Sequence, residues 1–279
     1  MFGHPFLLYA FLAGTAVGCA AGLAGYFLVL RAQVFTTDAL SHVAFTGALA
    51  ALAFGVDARI GLFVVTVAVA LGMAAFGPRG RPDDVAIGGV FAWILGLGVF
   101  FLSLYTRTRS AGDGTASVSV LFGSIFGLDA GRATLCALIA AGVSLLLLVA
   151  ARPLLFASLD EAVAAARGVP VRLLGFGFLA LVAVTTAEAT QVVGALLILG
   201  LLAAPAGAAS QLTTRPWRAL ALSAGIAVGS VWIGLTASYL ASVPPSFAIL
   251  AVATLAYPLA AIWRRAHTRG RLVAVREVS

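Results

Sequence analysis

The chain has 279 residues, of which 62% are hydrophobic and only 10% charged, and its mean hydropathy is +1.10. A soluble domain carries about a quarter charged residues, so this composition excludes an ordinary soluble protein and indicates a helical membrane protein. The net charge is +7 and all 17 basic residues are arginine, which we interpret as orientation signals, and we expect no nucleic-acid partner.

Apolar segments recur along the whole chain at roughly the 20-residue length that crosses a bilayer as a helix. We predict one all-α, polytopic transmembrane bundle over residues 1–279, with about 8–10 spans. The predicted spans lie near residues 6–30, 38–54, 59–76, 86–104, 132–151, 172–188, 190–210, 217–240 and 246–263. Segment 118–128 is too short to cross, and we expect a re-entrant or interfacial piece there.

Arginine residues mark the two sides of this bundle unequally. With alternating spans, one side carries most of them: Arg31, Arg79, Arg81, Arg152, Arg167, Arg172, Arg215, Arg218 and the basic tail 264–279. The other side carries Arg59, Arg107, Arg109 and Arg132. Because short cytoplasmic loops are enriched in Lys and Arg, we predict a multi-pass protein of the cell membrane with a cytoplasmic C-terminus and an external N-terminus.

Small residues and one proline give local expectations for packing. Gly14, Gly18 and Gly22 form a four-residue ladder on the first predicted helix, and such ladders let backbones approach closely in lipid. Pro205 lies inside the 190–210 span and is expected to kink or break that helix, because proline has no backbone N–H to donate.

The stretch TDALSHVA places a carboxylate and an imidazole at the start of a predicted span. Asp38 and His42 are four residues apart, so on a helix they share one face, about 6 Å from each other. Both groups are ligands for divalent transition metals, which take about four to six ligands, and a twofold axis beside this helix would double the set. The structural alternative is an Asp–His hydrogen bond, or an N-cap formed by Asp38. The spacing alone does not decide between them.

Glu188 and Gln191 interrupt another apolar region near a predicted outer boundary. They either line an outer vestibule of a pathway or mark a solvated turn between two spans, and we prefer the turn. The two cysteines, Cys19 and Cys136, fall inside apolar spans, and we interpret them as small core residues.

The loop after the fifth predicted span carries signals for a helix outside the membrane. Asp160 is predicted to cap it, Glu161 favours the positive end of its dipole, and Gly168 offers a left-handed termination. A helix of roughly two turns is marginal alone in water. We therefore expect it to dock on a partner, the alternative being a surface connector.

Two segments resemble one family of membrane proteins. VLRAQVFTTDALSHVAFTGALAALAFG is similar to the signature of the membrane permease subunits of metal-type ABC transporters, which import zinc, manganese or iron. The run from DEAVAAARGVP to LLAAPAGAASQLTTR resembles the C-terminal half of that family, with its D-x-x-A…G-V-P coupling loop, Q-x-V-G-x-L-L pattern and L-x-x-P-A-x-x-A segment. The resemblance extends, with gaps, over roughly residues 25–262.

The resemblance implies a homodimeric channel in membrane lipid, an extracytoplasmic metal-binding protein, and a separate cytoplasmic ABC ATPase subunit that binds the ATP. The chain itself would then be no enzyme and hold no permanent cofactor. A chain without lysine cannot contain the loop G-x-x-x-x-G-K-[ST], in agreement with this. By the same resemblance Asp38 and His42 are metal ligands of the pathway, and residues 160–168 are the helix that couples to the ATPase.

Two departures from the family pattern leave the metal open among Zn, Mn and Fe. Thr37 stands where a Gly is expected before Asp38, and Thr46 where a Pro often precedes the corresponding Gly. Two alternatives remain. One is an ABC permease for a metal chelate or other cofactor, in which the Asp–His pair is structural. The other is a gradient-driven secondary transporter, which would not use the 160–168 helix and would be expected to show an inverted repeat, a feature not seen in this sequence.

Overall fold

The computed structural model describes residues 5–77, 80–82, 84–108, 123–195 and 198–276, with side chains as far as residue 267. These residues form eleven α-helices: α1 Pro5–Leu30, α2 Val34–Ala53, α3 Ala58–Phe76, α4 Asp84–Thr108, α5 Ala130–Val149, α6 Ala151–Leu159, α7 Glu161–Ala166, α8 Val171–Val192, α9 Ile198–Leu212, α10 Pro216–Ala241 and α11 Pro245–Arg276. A 3-10 turn, Ile125–Gly127, precedes α5. Within the described ranges no β-strand occurs.

Seven of the described helices are long and apolar enough to cross a membrane, namely α1, α3, α4, α5, α8, α10 and α11. Helix α9 is apolar but shorter, and α2 has 20 residues with several polar side chains among them. The predicted all-α polytopic bundle is therefore confirmed. Arg79, Arg109 and residues 118–122 of the predicted interfacial segment lie outside the described residues.

Three predicted helix boundaries are wrong. Helix α2 begins at Val34, four residues before the predicted start, and its first turn buries Thr36 and Thr37. Helix α8 runs through Val192, so the predicted span 190–210 is divided, and the break comes near Gly194, whose φ of 97° favours glycine. Helix α11 continues past residue 263 to Arg276, and Pro258 inside it does not end it.

Helix α1 lies at the centre of the core and packs on α5, α8, α9 and α10. The glycine ladder faces α10: a Cβ added to Gly22 would lie 2.6 Å from Cα of Ala224, and one added to Gly14 would lie 2.7 Å from Val231. The close approach predicted from the ladder is confirmed. Because lipid provides no hydrophobic drive between helices, such backbone contact is a main source of packing energy.

Pro205 lies in the middle of α9, and the helix continues on both sides of it. The prediction that Pro205 would break the helix is therefore wrong, whereas the predicted kink stays a prediction. Without an N–H, Pro205 leaves the carbonyl of Leu201 without its usual donor four residues on.

Different loops lie at the two ends of the bundle. Arg81, from the α3–α4 connection, contacts Arg31 after α1 and Glu161 of α7, so these segments share one end, which we call the α7 end. Arg59 and Arg132 line one pocket at the opposite end. These arginines are divided between the two ends as the alternation of spans predicts.

Candidate functional site

Helices α2 and α4 face each other across an open groove of about 340 Å³. The groove is lined by Phe35 and Asp38 from α2 and by Asp84, Ile87, Gly88 and Phe91 from α4. His42 lies one turn above Asp38, and its ring meets the ring of Phe91 edge-on with centroids 5.1 Å apart. The groove thus has largely apolar walls and carries the carboxylates of Asp38 and Asp84, and the imidazole of His42 packs against Phe91, one of its lining residues.

Asp38 and His42 are half-buried and lie on one face of α2, as their spacing predicts. The N-cap interpretation is wrong, because α2 begins at Val34 after Gln33 and Asp38 lies in its second turn. No side-chain hydrogen bond joins Asp38 to His42 in the described part of the chain, and Ser41 donates to the backbone carbonyl of Asp38 at 2.7 Å. Neither side chain is therefore tied to the other, and the Asp38 carboxylate is open to a ligand in the groove.

The described part of one chain does not provide a complete metal site. Among the described residues no group of three or more His, Cys, Asp or Glu side chains is close enough to hold an ion. A divalent transition metal takes about four to six ligands. If Asp38 and His42 bound such an ion, the remaining ligands would have to come from a second chain or from water.

Asp84 was not singled out from the sequence, where it appears as one of several loop acids. It is the first residue of α4 and opens into the same groove as Asp38, nearer the α7 end. The signal that could have identified it is the spacing of Asp84, Ile87, Gly88 and Phe91, which places them on one helix face.

Glu188 lies in the last turns of α8 and is only 2% exposed, so the preferred interpretation as a solvated turn is wrong. Its Oε2 is buried and has no hydrogen-bond partner within the ranges that the structure describes. Glu188 lines a pocket of about 320 Å³ at the end opposite α7, together with Cys136, Arg59 and Gln191. Cys136 was interpreted as a core residue; it is buried, but its thiol faces the Glu188 carboxyl.

Gln191 connects this pocket to a second one. The second pocket, of about 450 Å³, is more polar and is lined by Asp57, Arg59 and Ser124 as well as Gln191. The backbone N–H of Ser124 donates to the Gln191 carbonyl at 3.1 Å, so the segment before α5 closes over the end of α8. These two pockets share Arg59, Arg132 and Gln191 and form one depression at the end opposite α7.

Helix α7 has the ends predicted from its sequence. The Asp160 carboxylate accepts a hydrogen bond from the N–H of Val163 at 2.9 Å, and Glu161 occupies the first turn. Gly168 has φ of 80°, the left-handed conformation expected at a helix end. Ala164 packs in a small core separate from the main one, with Ala157 and Val171 as its other buried members.

A buried charge lies beside α7. Arg31 is 2% exposed, its guanidinium stacks over the Phe178 ring at 5.1 Å, and its three side-chain nitrogens have no hydrogen-bond partner among the described residues. Burial and, second, the Arg81 charge lower the pKa of Arg31 to about 10, with Glu161 opposing both. The Glu161 carboxylate is therefore the one negative charge that acts on both guanidinium groups named here, those of Arg31 and Arg81.

The structure thus places Asp38 in the α2–α4 groove and His42 one turn farther along α2, on the same half of the bundle as Asp160, Glu161 and Gly168. Glu188 and Gln191 lie at the opposite end, and Pro205 lies in α9, away from both groups. The predicted site residues therefore form two end regions and one groove, rather than a single pocket.

Known proteins match nearly the whole chain. The profile of the ABC 3 transport family matches residues 3–264. MntC of Listeria innocua, a manganese transport system membrane protein, is 29% identical over 258 residues, which are 92% of this chain and 90% of the relative. MntD of Bacillus subtilis, also a manganese transport system membrane protein, is 31% identical over 268 residues, covering 91% and 90%.

A solved structure shares the fold. PsaBC from Streptococcus pneumoniae, in complex with Fab, matches with a TM-score of 0.79 and 26% sequence identity. The match covers 92% of this chain and 91% of the other.

Proposed function

The chain belongs to the ABC 3 transport family, and we propose that it is the membrane permease of an ABC importer that moves a divalent transition-metal ion, Zn, Mn or Fe. Two relatives named as manganese transport proteins support a metal as cargo and make Mn the first ion to test. ATP is hydrolysed by a separate cytoplasmic ATPase subunit, and an extracytoplasmic metal-binding protein delivers the ion.

The observation that carries the proposal is the pair Asp38 and His42 on one face of α2, half-buried beside α4 and not bonded to each other. Oxygen and imidazole ligands suit Zn, Mn and Fe alike. The pair serves as a transient binding step, because alternating access needs weak ligation that releases the ion.

The incomplete ligand set favours a homodimer. A second copy placed against the open α2–α4 groove would add its own Asp38 and His42, giving two carboxylates and two imidazoles. Helix α4 supports this arrangement, because its outer face is largely exposed and carries Gly88, Gly89 and Gly96, against which an added Cβ would meet nothing. Small residues of this kind let helices from two chains approach closely in lipid.

The two ends take different roles in the proposed cycle. The α7 end, where Arg31, Arg81 and the 160–168 segment meet, faces the cytoplasm together with the C-terminus, because it holds most of the arginines. Helix α7 receives the motion of the ATPase. Glu188 and Gln191 belong to the outer entry, where the delivered ion enters the depression.

Metal uptake in proteoliposomes tests the proposal, with the chain, its ATPase and its binding protein reconstituted together. Wild type, Asp38→Asn and His42→Ala are compared with Zn, Mn and Fe supplied separately. Asp129→Asn is the matched control, because it also removes a carboxylate charge while asparagine still caps α5, where Asp129 bonds the Arg132 N–H.

We expect at least a ten-fold loss of uptake in Asp38→Asn and His42→Ala, with assembly and ATP hydrolysis retained, and no loss in Asp129→Asn. The ion that moves identifies the cargo. Unchanged uptake in both groove variants would reduce the pair to a structural role. Uptake of a metal chelate but of no free metal by wild type would replace the proposal with the chelate alternative.

A further inference from the structure

Arg81 lies between α3 and α4 and connects two other parts of the chain. Its Nη2 donates to the backbone carbonyl of Arg31 at 2.7 Å, and its Nη1 lies 3.4 Å from Oε2 of Glu161. Arg31 is the first residue after α1, and Glu161 is the first residue of α7. One guanidinium therefore joins α7 to the link between α1 and α2.

This contact is more than a surface ion pair. The Arg81 and Glu161 side chains are only 28% and 19% exposed, so water screens their attraction less than it would on an open surface. Glu161 also acts on the buried guanidinium of Arg31. A displacement of α7 therefore changes the electrostatic balance of two cations at once.

The α1–α2 link holds a conformation that is unfavourable for its residue. Ala32 has φ of 54°, a left-handed conformation in which a Cβ crowds the backbone. The Gln33 N–H donates to the Leu28 carbonyl at 2.8 Å and the Ala32 N–H to the Val29 carbonyl at 3.2 Å, the pattern of a helix end that usually carries glycine. Non-glycine residues held in this way are concentrated in switch regions.

At the base of α2, by which we mean residues 33–37, three polar side chains are buried without hydrogen-bond partners among the described residues. Gln33, Thr36 and Thr37 are at most 5% exposed, and in the described part of the chain neither polar atom of the Gln33 amide nor either threonine hydroxyl has a hydrogen-bond partner. Buried polar groups are paired in most folded structures, so a second arrangement that pairs them is favoured by hydrogen bonding. The base of α2 is therefore suited to repacking.

The metal ligands lie directly above this base. Asp38 follows Ala32 by six residues, about 9 Å along the chain at helical rise, and His42 lies one turn farther. A tilt of α2 about the link therefore moves Asp38 and His42 along α4, past Asp84 and Phe91 in the groove.

We propose that Arg81 is a positioning residue that carries the displacement of α7 to the base of α2, and so to Asp38 and His42. This inference rests on the proposed function, since it assumes that α7 receives the motion of an ATPase. Arg81 binds no cargo itself and acts through the Arg31 carbonyl and the Glu161 carboxylate.

The first test measures metal ions moved per ATP hydrolysed in proteoliposomes. Arg81→Met removes both hydrogen-bond donors while keeping a similar side-chain volume. Glu161→Gln weakens the contact between Arg81 and α7. Arg172→Met is the matched control, because Arg172 is an exposed arginine in the first turn of α8 whose guanidinium lies over the Phe176 ring. We expect at least a ten-fold lower ratio for Arg81→Met and Glu161→Gln, with ATP hydrolysis retained, and a ratio within two-fold of wild type for Arg172→Met.

The second test follows α2 directly and does not depend on the cargo. A spin label at Phe54→Cys, at the exposed far end of α2, reports the distance between two copies of the chain in a background with Cys19→Ala and Cys136→Ala. Trapping the ATPase with nucleotide is expected to shift this distance in wild type and in Arg172→Met, and to leave it unchanged in Arg81→Met.

The outcomes separate the inference from the proposed function. An equal shift in Arg81→Met and wild type, or no shift in wild type, overturns the inference whatever the cargo. A loss of assembly in Arg81→Met that is accompanied by loss of ATP hydrolysis also overturns it, because Arg81 would then only hold the fold. An Arg81-dependent shift in a wild type that moves no metal supports the inference and rejects the proposed cargo.

Discussion

The Ser223 hydroxyl donates a 2.6 Å hydrogen bond to the backbone carbonyl of Gly22, joining α10 to α1 across 201 residues of sequence. The bond is possible because the two backbones almost touch: a Cβ on Gly22 would lie 2.7 Å from the Ser223 carbonyl oxygen. Both residues are in the buried centre of the bundle, where an unpaired Ser223 hydroxyl has no water to bond.

Gly22→Ala is expected to destabilise the protein, because backbone rather than a movable side chain blocks the added methyl. Overpacking of this kind costs about 1–3 kcal/mol, and loss of the Ser223 bond adds to it. Thermal unfolding in detergent measures the effect as a lower apparent melting temperature. Gly225→Ala is the control, since an added Cβ on Gly225 of α10 meets nothing within 4 Å. Equal melting temperatures for the two variants would contradict the close α1–α10 contact.

Features set by neighbouring residues could be predicted from the sequence. The cap at Asp160 and the left-handed Gly168 follow from residue types a few positions apart, and the structure has both. The ladder beginning at Gly14 predicts close packing for the same reason, since a four-residue period fixes one helix face. Local chemistry decides these features, so the rest of the fold was not needed to predict them.

Features set by distant residues could not be predicted. The start of α2 was misplaced because the polar Asp38 looks like a helix beginning, whereas the helix extends back to Val34 against the bundle. Glu188 looks like a turn residue, yet α3 and α5 cover it in the folded chain. Asp84 becomes a groove residue only because α4 packs beside α2, a pairing that no local pattern indicates.

Asp160→Ala is expected to loosen α7 without disturbing the membrane bundle. The variant loses the acceptor for the Val163 N–H, a change that costs about 1 kcal/mol of helix stability and is large for a helix of six residues. The measurement is retention of the ATPase subunit during purification, which should fall several-fold. Asp160→Asn is the control, because asparagine caps as well as aspartate. Equal loss in Asp160→Asn would assign the effect to charge rather than to the cap.

Glu188→Gln is expected to weaken metal entry while preserving the fold. Glutamine has nearly the same shape and can still meet Cys136, but it removes the carboxylate charge from the outer pocket, leaving Arg59 and Arg132 there. The proposed outer role predicts that KM for metal uptake rises several-fold with little change in maximal rate. Glu188→Leu is the comparison, since it also removes the polar atoms. An unchanged KM with a lower melting temperature in both variants would make Glu188 a structural residue.

Arg31→Met is expected to raise the thermal stability of the protein. A base whose pKa is lowered in the folded state, here to about 10 from 12.5, is disfavoured there in its charged form. Its charge therefore opposes folding below about pH 10, and the penalty fades as pH rises through that value. We expect the free energy of unfolding to rise by about 1–3 kcal/mol. The lost stacking on Phe178 reduces this gain. The gain should be constant between about pH 6 and 9.

Thermal unfolding of wild type and Arg31→Met across that pH range is the measurement, with Arg172→Met as the exposed-arginine control. The variant keeps the backbone carbonyl that Arg81 binds, so it leaves the connection to α7 intact and removes one of two cations competing for Glu161. A melting temperature several degrees below wild type would mean that the Arg31 charge is compensated in the folded protein. A gain that vanished already near pH 7 would place the pKa of Arg31 far below 10, and stronger burial of its charge would follow.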